Sequence, residues 1–493
     1  MSSSNANTVY GGDEINAIIL DIGSHTIRIG YAGDDFPKII TTSHYGTVTS
    51  PSSTSTTKDR VFGESLDVLR KGGTQVHRIV ENSLIVDWDA AFELFEHYFK
   101  LLKIEQRDQP ILITEPIWST TDYRAKLIGL IFEKFEFPAV YLAKVPSCIS
   151  FQQGRPNCLV VDVGCDSVSV TPVVDGICLI KSTLRTPYAG KFLDNVVQDF
   201  FEAPKKVAAG RDKGDEGDKE TQENGDKTGD VKLAVEPSVL IKSKTPTMFP
   251  EPAKFELKKL SDGVEITPSF RNFQNSRIWH EFKETMLEVP SQDMNKKYDA
   301  GDKSIFAPRA FELPTGQSIT LGAERFSMAD TIFQPESYQF HNLHLKPPLS
   351  NGEIPGIELN TIQDYRPLKR QRKNEEDEED DSQPSIRGLI QLITHVISII
   401  DIDLRAGLSN NIIVSGGGSL VMGLTERLYH ELSSANPGLK IRLHAVGNAM
   451  ERINQSWIGA SVLASLGSFH QMWVSEKEWN EEGEERILNQ RFR

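Results

Sequence analysis

The sequence predicts an α/β chain of two similar halves facing each other across a nucleotide. Three observations predict it. First, Ile18-Ile19-Leu20-Asp21-Ile22-Gly23-Ser24 and Leu159-Val160-Val161-Asp162-Val163-Gly164-Cys165-Asp166 are two copies of one design. In each, an apolar run of strand length stops at an aspartate, and a glycine follows two residues later. A buried strand ending this way presents a carboxylate and a tight turn whose backbone N–H groups approach a phosphate closely. A single Asp-x-Gly also punctuates ordinary hairpins; the repetition sets these two apart. Second, Val414-Ser415-Gly416-Gly417-Gly418-Ser419 follows another strand-like run. Third, strand-like and helix-like stretches alternate along the chain.

Bulk properties narrow the function. At 493 residues the chain exceeds one small core, so two or more domains are expected. A hydrophobic content of 38% is low enough to imply some solvated linker. The formal charge of −15 argues against a protein that coats DNA by neutralising phosphates, and no sequence-specific DNA binding is expected. It fits a solvated acidic surface at least as well as it fits basic partners such as histones. No apolar run approaches the ~20 residues of a membrane helix. The polar start, Met1 to Asn7, lacks the pattern of a secretory signal. Cys148, Cys158, Cys165 and Cys178 lie in apolar contexts without Cys-x-x-Cys spacing, and read as buried free thiols.

Taken in order, residues 15–46 read as a strand meander broken at Gly33-Asp34-Asp35 and Phe36-Pro37. Residues 49–59 are nearly all Ser, Thr and Pro, the composition of a mobile loop. Trp88 opens a helix with Trp88, Phe92, Phe95, Phe99 and Leu102 on one core-facing stripe. Asp122 to Phe135 reads as one further helix. Lys205 to Asp230 alternates charge and glycine with almost no apolar residue, so it buries too little surface to fold alone. A second charged segment, about His341 to Pro384, carries the basic run Lys369-Arg370-Gln371-Arg372-Lys373 and an acidic run from Glu375 to Asp381. Such blocks are solvated tails or, for the basic run, a nuclear import signal. A helix from Ile386 to Ile400, a strand from Asn411 to Val414 and a helix from Leu424 to Leu432 complete the alternation.

The stretch Asp21-Ile22-Gly23-Ser24-His25-Thr26-Ile27-Arg28-Ile29-Gly30-Tyr31-Ala32-Gly33-Asp34-Asp35-Phe36-Pro37 resembles the opening of actin. Leu112-Ile113-Thr114-Glu115-Pro116, Leu321-Gly322-Ala323-Glu324-Arg325-Phe326 and the run from Gln455 to Trp473 resemble actin as well. The chain is similar to the actin family over most of its length, apart from two inserts and a loop. Within the family, Val9-Tyr10-Gly11-Gly12-Asp13-Glu14 and the ending Asn489-Gln490-Arg491-Phe492-Arg493 resemble the nuclear actin-related subunits of chromatin-remodelling and histone-acetyltransferase assemblies.

The resemblance implies the α/β fold shared by actin, hexokinase and the chaperone ATPases, with four subdomains. Residues 1–46, 84–152 and 457–493 would form the first, and 47–83 the second. Residues 153–190 and 385–456 would form the third, and 191–340 the fourth, with inserts at about 205–230 and 341–384. It implies ATP with Mg2+ as ligand. Gly23, Ser24, His25 and Arg28 would form one phosphate turn; Gly164, Cys165 and Asp166 would form the other. Asp21 and Asp162 would hold Mg2+ through its water shell. Gly190, Lys283 and Glu284 match the ribose and adenine region, and Gly416, Gly417 and Gly418 the turn under the base.

Departures modify this expectation. Arg28 replaces a phosphate-reaching lysine with a wide planar fork. His25 replaces a glycine, and either crowds the turn or sits as an exposed turn residue. Cys165 and Asp166 replace an aspartate and a glycine, and a carboxylate beside a triphosphate is unfavourable unless it points to the metal or outward. Val421 replaces an adenine-side tyrosine and Ile453 a lysine. Val145 and Ser169 fall at the glutamine and histidine that orient the attacking water in actins. A valine cannot hydrogen-bond water, so the expectation is ATP binding without turnover.

For partners, the resemblance implies actin itself and an amphipathic scaffold helix, with histone or nucleosome contact, nuclear location, and roles in transcription regulation and DNA repair. The helix would enter an apolar cleft at Phe151, Gly154, Ile177, Leu463, Leu466 and Met472; core packing remains an equal reading of Leu463 and Leu466. Two alternatives are a slow ATPase switch and a filament-forming cytoskeletal protein. Val145 and Ser169 weigh against the first; the polar residues 49–59 and 341–384, at filament-contact positions, weigh against the second.

Overall fold

The computed structural model describes residues 17–48, 59–207, 229–291, 294, 305–347, 358–359 and 388–492. Two sheets organise it. The first runs in the order Val474–Ser475, Ala139–Lys144, Ile111–Glu115, Ile18–Ile22, Thr26–Tyr31, Ile39–Thr42. The second runs Glu358–Leu359, Leu184–Thr186, Val168–Val174, Cys158–Val163, Ile412–Ser415, Leu443–Ala445, with Ile177–Cys178 paired beside Val168–Val174.

These sheets share a five-strand unit. Ile18–Ile22 lies parallel to Ile111–Glu115, which lies parallel to Ala139–Lys144. On its other side come Thr26–Tyr31 and Ile39–Thr42, each antiparallel to its neighbour. Cys158–Val163 has the same surroundings: two parallel strands, Ile412–Ser415 and Leu443–Ala445, and two antiparallel ones, Val168–Val174 and Leu184–Thr186. Both central strands are apolar because helices or packed chain cover both faces. The duplicated turn in the sequence is therefore the visible end of a duplicated sheet.

Helix Trp88–Leu102 begins where Asp87 accepts a hydrogen bond from the Ala90 amide at 3.0 Å, and it ends at Lys103 in a left-handed conformation. Phe95 and Phe99 sit in the first-half core, with Trp88, Phe92 and Leu102 packed around them. The single helix expected from Asp122 to Phe135 divides: an α-helix, Thr121–Gly129, passes into a π turn, Leu130–Lys134. The wider turn lets Ile131, Phe132 and Phe135 all enter the core.

Both inserts are more ordered at their ends than composition implies. Lys205–Val207 pairs with Gly229–Val231, because strand pairing satisfies backbone groups without an apolar core. The start of the second insert is fixed by Asp199, which is fully buried. Its carboxylate accepts from the Asn342 amide at 2.7 Å, the His341 amide at 3.0 Å and the Tyr338 hydroxyl at 2.9 Å. Burial would raise its pKa, and these donors more than offset that. Glu358–Leu359 then adds a strand to the edge of the second sheet. The basic run Lys369, Arg370, Arg372 and Lys373, residues 49–58 and Met1 to Asn7 lie outside the described residues.

The halves meet at two helices, Val145–Gln152 and Gln455–Ala464. They approach so closely that a Cβ on Gly459 would lie 1.8 Å from the Cys148 carbonyl oxygen. Only glycine permits this crossing. Gly459→Val is therefore expected to destabilise the protein by about 3 kcal/mol or more. Thermal or denaturant unfolding reads this directly, and an unchanged midpoint would contradict the packing.

Candidate nucleotide cleft

The first turn follows Ile18–Ile22. Asp21 is buried and accepts hydrogen bonds from Arg28 Nη1 at 2.8 Å, Ser456 Oγ at 2.9 Å and Thr114 Oγ1 at 2.5 Å. Arg28 stands opposite Asp21 in the hairpin register, so its guanidinium folds back onto that carboxylate. It does not stand free toward the turn. Gly23 is required sterically, since a Cβ there would lie 2.7 Å from the Thr26 carbonyl oxygen. Buried Ser24 accepts from the Ser83 amide at 2.8 Å. His25 keeps an ordinary negative φ and reaches across the cleft to stack on His280, with ring centroids 4.6 Å apart. His25 remains exposed to solvent, as a turn residue would be, and desolvation by the cleft wall, then His280 and Lys283, lower its pKa from the usual imidazole value.

The second turn follows Cys158–Val163. Asp162 pairs in register with Ser169. Gly416, at φ +87°, comes so close that a Cβ would lie 2.6 Å from Asp162 Oδ1 and 2.4 Å from the Val163 carbonyl oxygen. Gly418 packs on Val163 in the same way. Burial, and then the Asp21 charge, push the Asp162 carboxyl up to about 6. The Gly164 and Cys165 carbonyls accept from the Gly190 and Lys191 amides at 3.0 and 2.8 Å. Asp166 points away from the turn, onto Arg78 at 2.8 Å and the Asn82 amide at 2.9 Å. Its burial would raise its pKa, yet Arg78 and that amide lower it on balance.

Beyond the second turn, Lys283 Nζ contacts Asp194 at 2.9 Å and the Gly190 carbonyl at 3.2 Å. Glu284 is exposed and lies 3.2 Å from His280 Nε2. Gly417 lies against Ile453, and Arg452 donates to the Ser419 carbonyl at 3.3 Å. Val421 is buried in the second-half core. Val145 packs against an apolar cluster with Ile117 and Ile149, and Ser169 is buried. Neither offers the reach of an imidazole or a carboxamide.

The expected helix cleft divides in two. Phe151, Ile177, Leu466 and Met472 are 41%, 58%, 41% and 40% exposed, which marks them as surface. Gly154 opens onto free space at φ +59°. Leu463 instead joins the core beside Trp457 and Ala460.

Several residues escaped sequence reasoning. Arg78, Asn82, Ser83 and Asp194 have no local motif; contact with the turns is the signal for the first three, and contact with Lys283 for Asp194. Thr114 and Ser456 sit inside recognised motifs but become ligands of Asp21 only in three dimensions.

Three glycines where a Cβ would collide, and two carboxylates at the ends of matching strands, fit a phosphate chain with a divalent cation. The cation would offset the burial and the Asp21 charge that raise the Asp162 pKa. Among the described residues no helix is long and apolar enough to cross a membrane, and no cluster of three or more His, Cys, Asp or Glu side chains gathers to hold a metal unaided.

Two matching half-sheets with phosphate-type turns facing each other define an α/β nucleotide-cleft protein. The actin family model matches residues 12–493, and the chain belongs to the actin family. It is 53% identical to actin-related protein 4 of Candida albicans and 50% identical to that of Debaryomyces hansenii, with 100% of each chain covered in both cases. It is 33% identical to actin-related protein 4 of Saccharomyces cerevisiae, over 98% of this chain and 99% of the relative. These relatives support an actin-related role, in a family whose fold generally binds ATP with a divalent cation.

The raised Asp162 carboxyl sets a pH-dependent expectation. Its folded pKa of about 6 exceeds the ordinary 3.8, so ionised Asp162 costs stability above pH 6. The penalty shrinks between pH 6 and pH 4 and is gone below. Without nucleotide, Asp162→Asn should be more stable than wild type by about 1–2 kcal/mol at pH 7. The gain should disappear near pH 4 in parallel melts; a pH-independent gain would contradict the charge argument.

Proposed function

We propose that this chain is a non-catalytic actin-related subunit of nuclear chromatin-remodelling and histone-acetyltransferase assemblies, holding ATP and Mg2+ as structural ligands. The observation that carries the non-catalytic part is the pairing of two retained phosphate turns with Val145 and Ser169. The Gly23 and Gly164 amides close the two turns on the Thr26 and Ser167 carbonyls at 3.1 Å each, so the amides that follow them, at Ser24, His25, Cys165 and Asp166, would bind the phosphates, and Asp21 and Asp162 would hold Mg2+ through water. The bound cation would neutralise charge between the turns. A ligand bound only by the native state stabilises it by mass action, without turnover. Purified protein should bind ATP with Mg2+ and release no phosphate above background. Steady release that disappears in Asp162→Ala would overturn this.

A second part concerns partners. Phe151, Ile177, Leu466 and Met472 offer exposed apolar surface suited to an amphipathic scaffold helix, bound beside a molecule of actin. The net charge of −15 favours a basic helix and is compatible with histone contact. Lys369, Arg370, Arg372 and Lys373 would direct nuclear import. Replacing both Phe151 and Met472 by Ala should weaken binding of a scaffold-derived helix by about 1–3 kcal/mol, with ATP binding spared. Calorimetric affinities equal to wild type would place the helix elsewhere.

A further inference from the structure

We propose that Asp166 and Arg78 form a clasp that locks both phosphate turns beneath the 80–85 hairpin and sets how slowly nucleotide leaves the cleft. The retention part rests on the ATP reading above. Val80–Glu81 and Leu84–Ile85 form a two-stranded hairpin on the first half of the molecule. Its tip, Asn82 and Ser83, holds two consecutive left-handed residues at φ 49° and 58°. Paired left-handed residues are the favoured turn of a two-residue hairpin, and Asn tolerates the conformation well, but Ser at the second position does so less readily and is helped by contacts.

The contacts that fix it come from the two turns. The Ser83 amide donates to Ser24 Oγ of the first turn at 2.8 Å, and the Asn82 amide donates to Asp166 Oδ2 of the second at 2.9 Å. Arg78, at the base of the hairpin, completes the junction. Its Nη2 reaches both Asp166 oxygens, at 3.0 and 2.8 Å, and the Ser24 carbonyl at 3.4 Å. The Trp118 indole steadies the tip from its own half, donating to the Asn82 carbonyl at 2.8 Å. Asp166 thus joins the second half to the first.

The pair is sheltered, with side chains 7% and 21% exposed for Asp166 and Arg78. A charged hydrogen-bonded pair in such a site resists opening more than a surface pair. Opening the cleft along this edge must separate Asp166 from Arg78 and Asn82 and leave a carboxylate unpaired beside the phosphates. The outer edge has its own links, Arg277 to Asp67 at 2.7 Å and the Gly72 amide to the Gly263 carbonyl at 2.7 Å. Removing the clasp leaves these in place, so the variants should fold.

The experiment compares wild type, Asp166→Ala, Arg78→Ala and the double variant. Dissociation of labelled ATP is followed during a chase with excess unlabelled ATP. Amide exchange at Asn82 and Ser83 is followed in nucleotide-free protein. Each single variant should release ATP roughly tenfold faster or more, and the double no faster than the singles, because both remove one interaction. Both amides should exchange faster in every variant. Release within about twofold of wild type, or rates that multiply in the double variant, would overturn the clasp. Wild type that retains no ATP would overturn the ATP reading. The exchange data then judge the clasp alone: amides that lose protection uphold it, and unchanged exchange overturns it.

Discussion

Two carboxylates, one of which feels the charge of the other, organise this protein. Asp21 and Asp162 end matching strands in matching half-sheets, and neither has left the protein interior fully. Like charges in such a place are unfavourable, and the structure meets the problem unequally. Asp21 is neutralised by Arg28 and receives two hydroxyls. Among the described residues no cation pairs directly with Asp162, and its pKa rises to about 6. A divalent cation between them would settle both charges at once and would tie stability of the closed cleft to ligand.

Everything around that pair serves close approach. Gly416 and Gly418 let the third turn press against the second, and Gly459 lets the joining helices cross at backbone contact. The halves are bound together at the mouth by stacking of His25 on His280 and by the Asp166–Arg78 pair. The cleft therefore combines a tightly packed floor with a polar, breakable mouth. Under the proposed function, such a cleft would hold a ligand that enters rarely and stays.

Much of this was legible in the sequence, for identifiable reasons. Apolar strands ending in Asp-x-Gly announce themselves because strand burial and turn geometry are local. The stripe from Trp88 to Leu102 is legible for the same reason. What stayed hidden is non-local. Nothing near Arg78 says that it meets Asp166, eighty-eight positions away. Arg28 reads as a phosphate ligand in sequence, but its register opposite Asp21 sends it back onto the carboxylate. Leu463 and Leu466 look alike in sequence, and only packing puts one in the core and the other on the surface. Composition misjudged the insert ends, where Asp199 and strand pairing supply order that apolar content does not.

The most direct test of the central claim is a high-resolution structure of the natively purified chain with its bound nucleotide. The account predicts an intact triphosphate between the Gly23 and Gly164 turns, a cation within water-mediated reach of Asp21 and Asp162, and Asp166 still on Arg78. A diphosphate in a closed cleft, or a triphosphate bound without either carboxylate facing its cation, would contradict it.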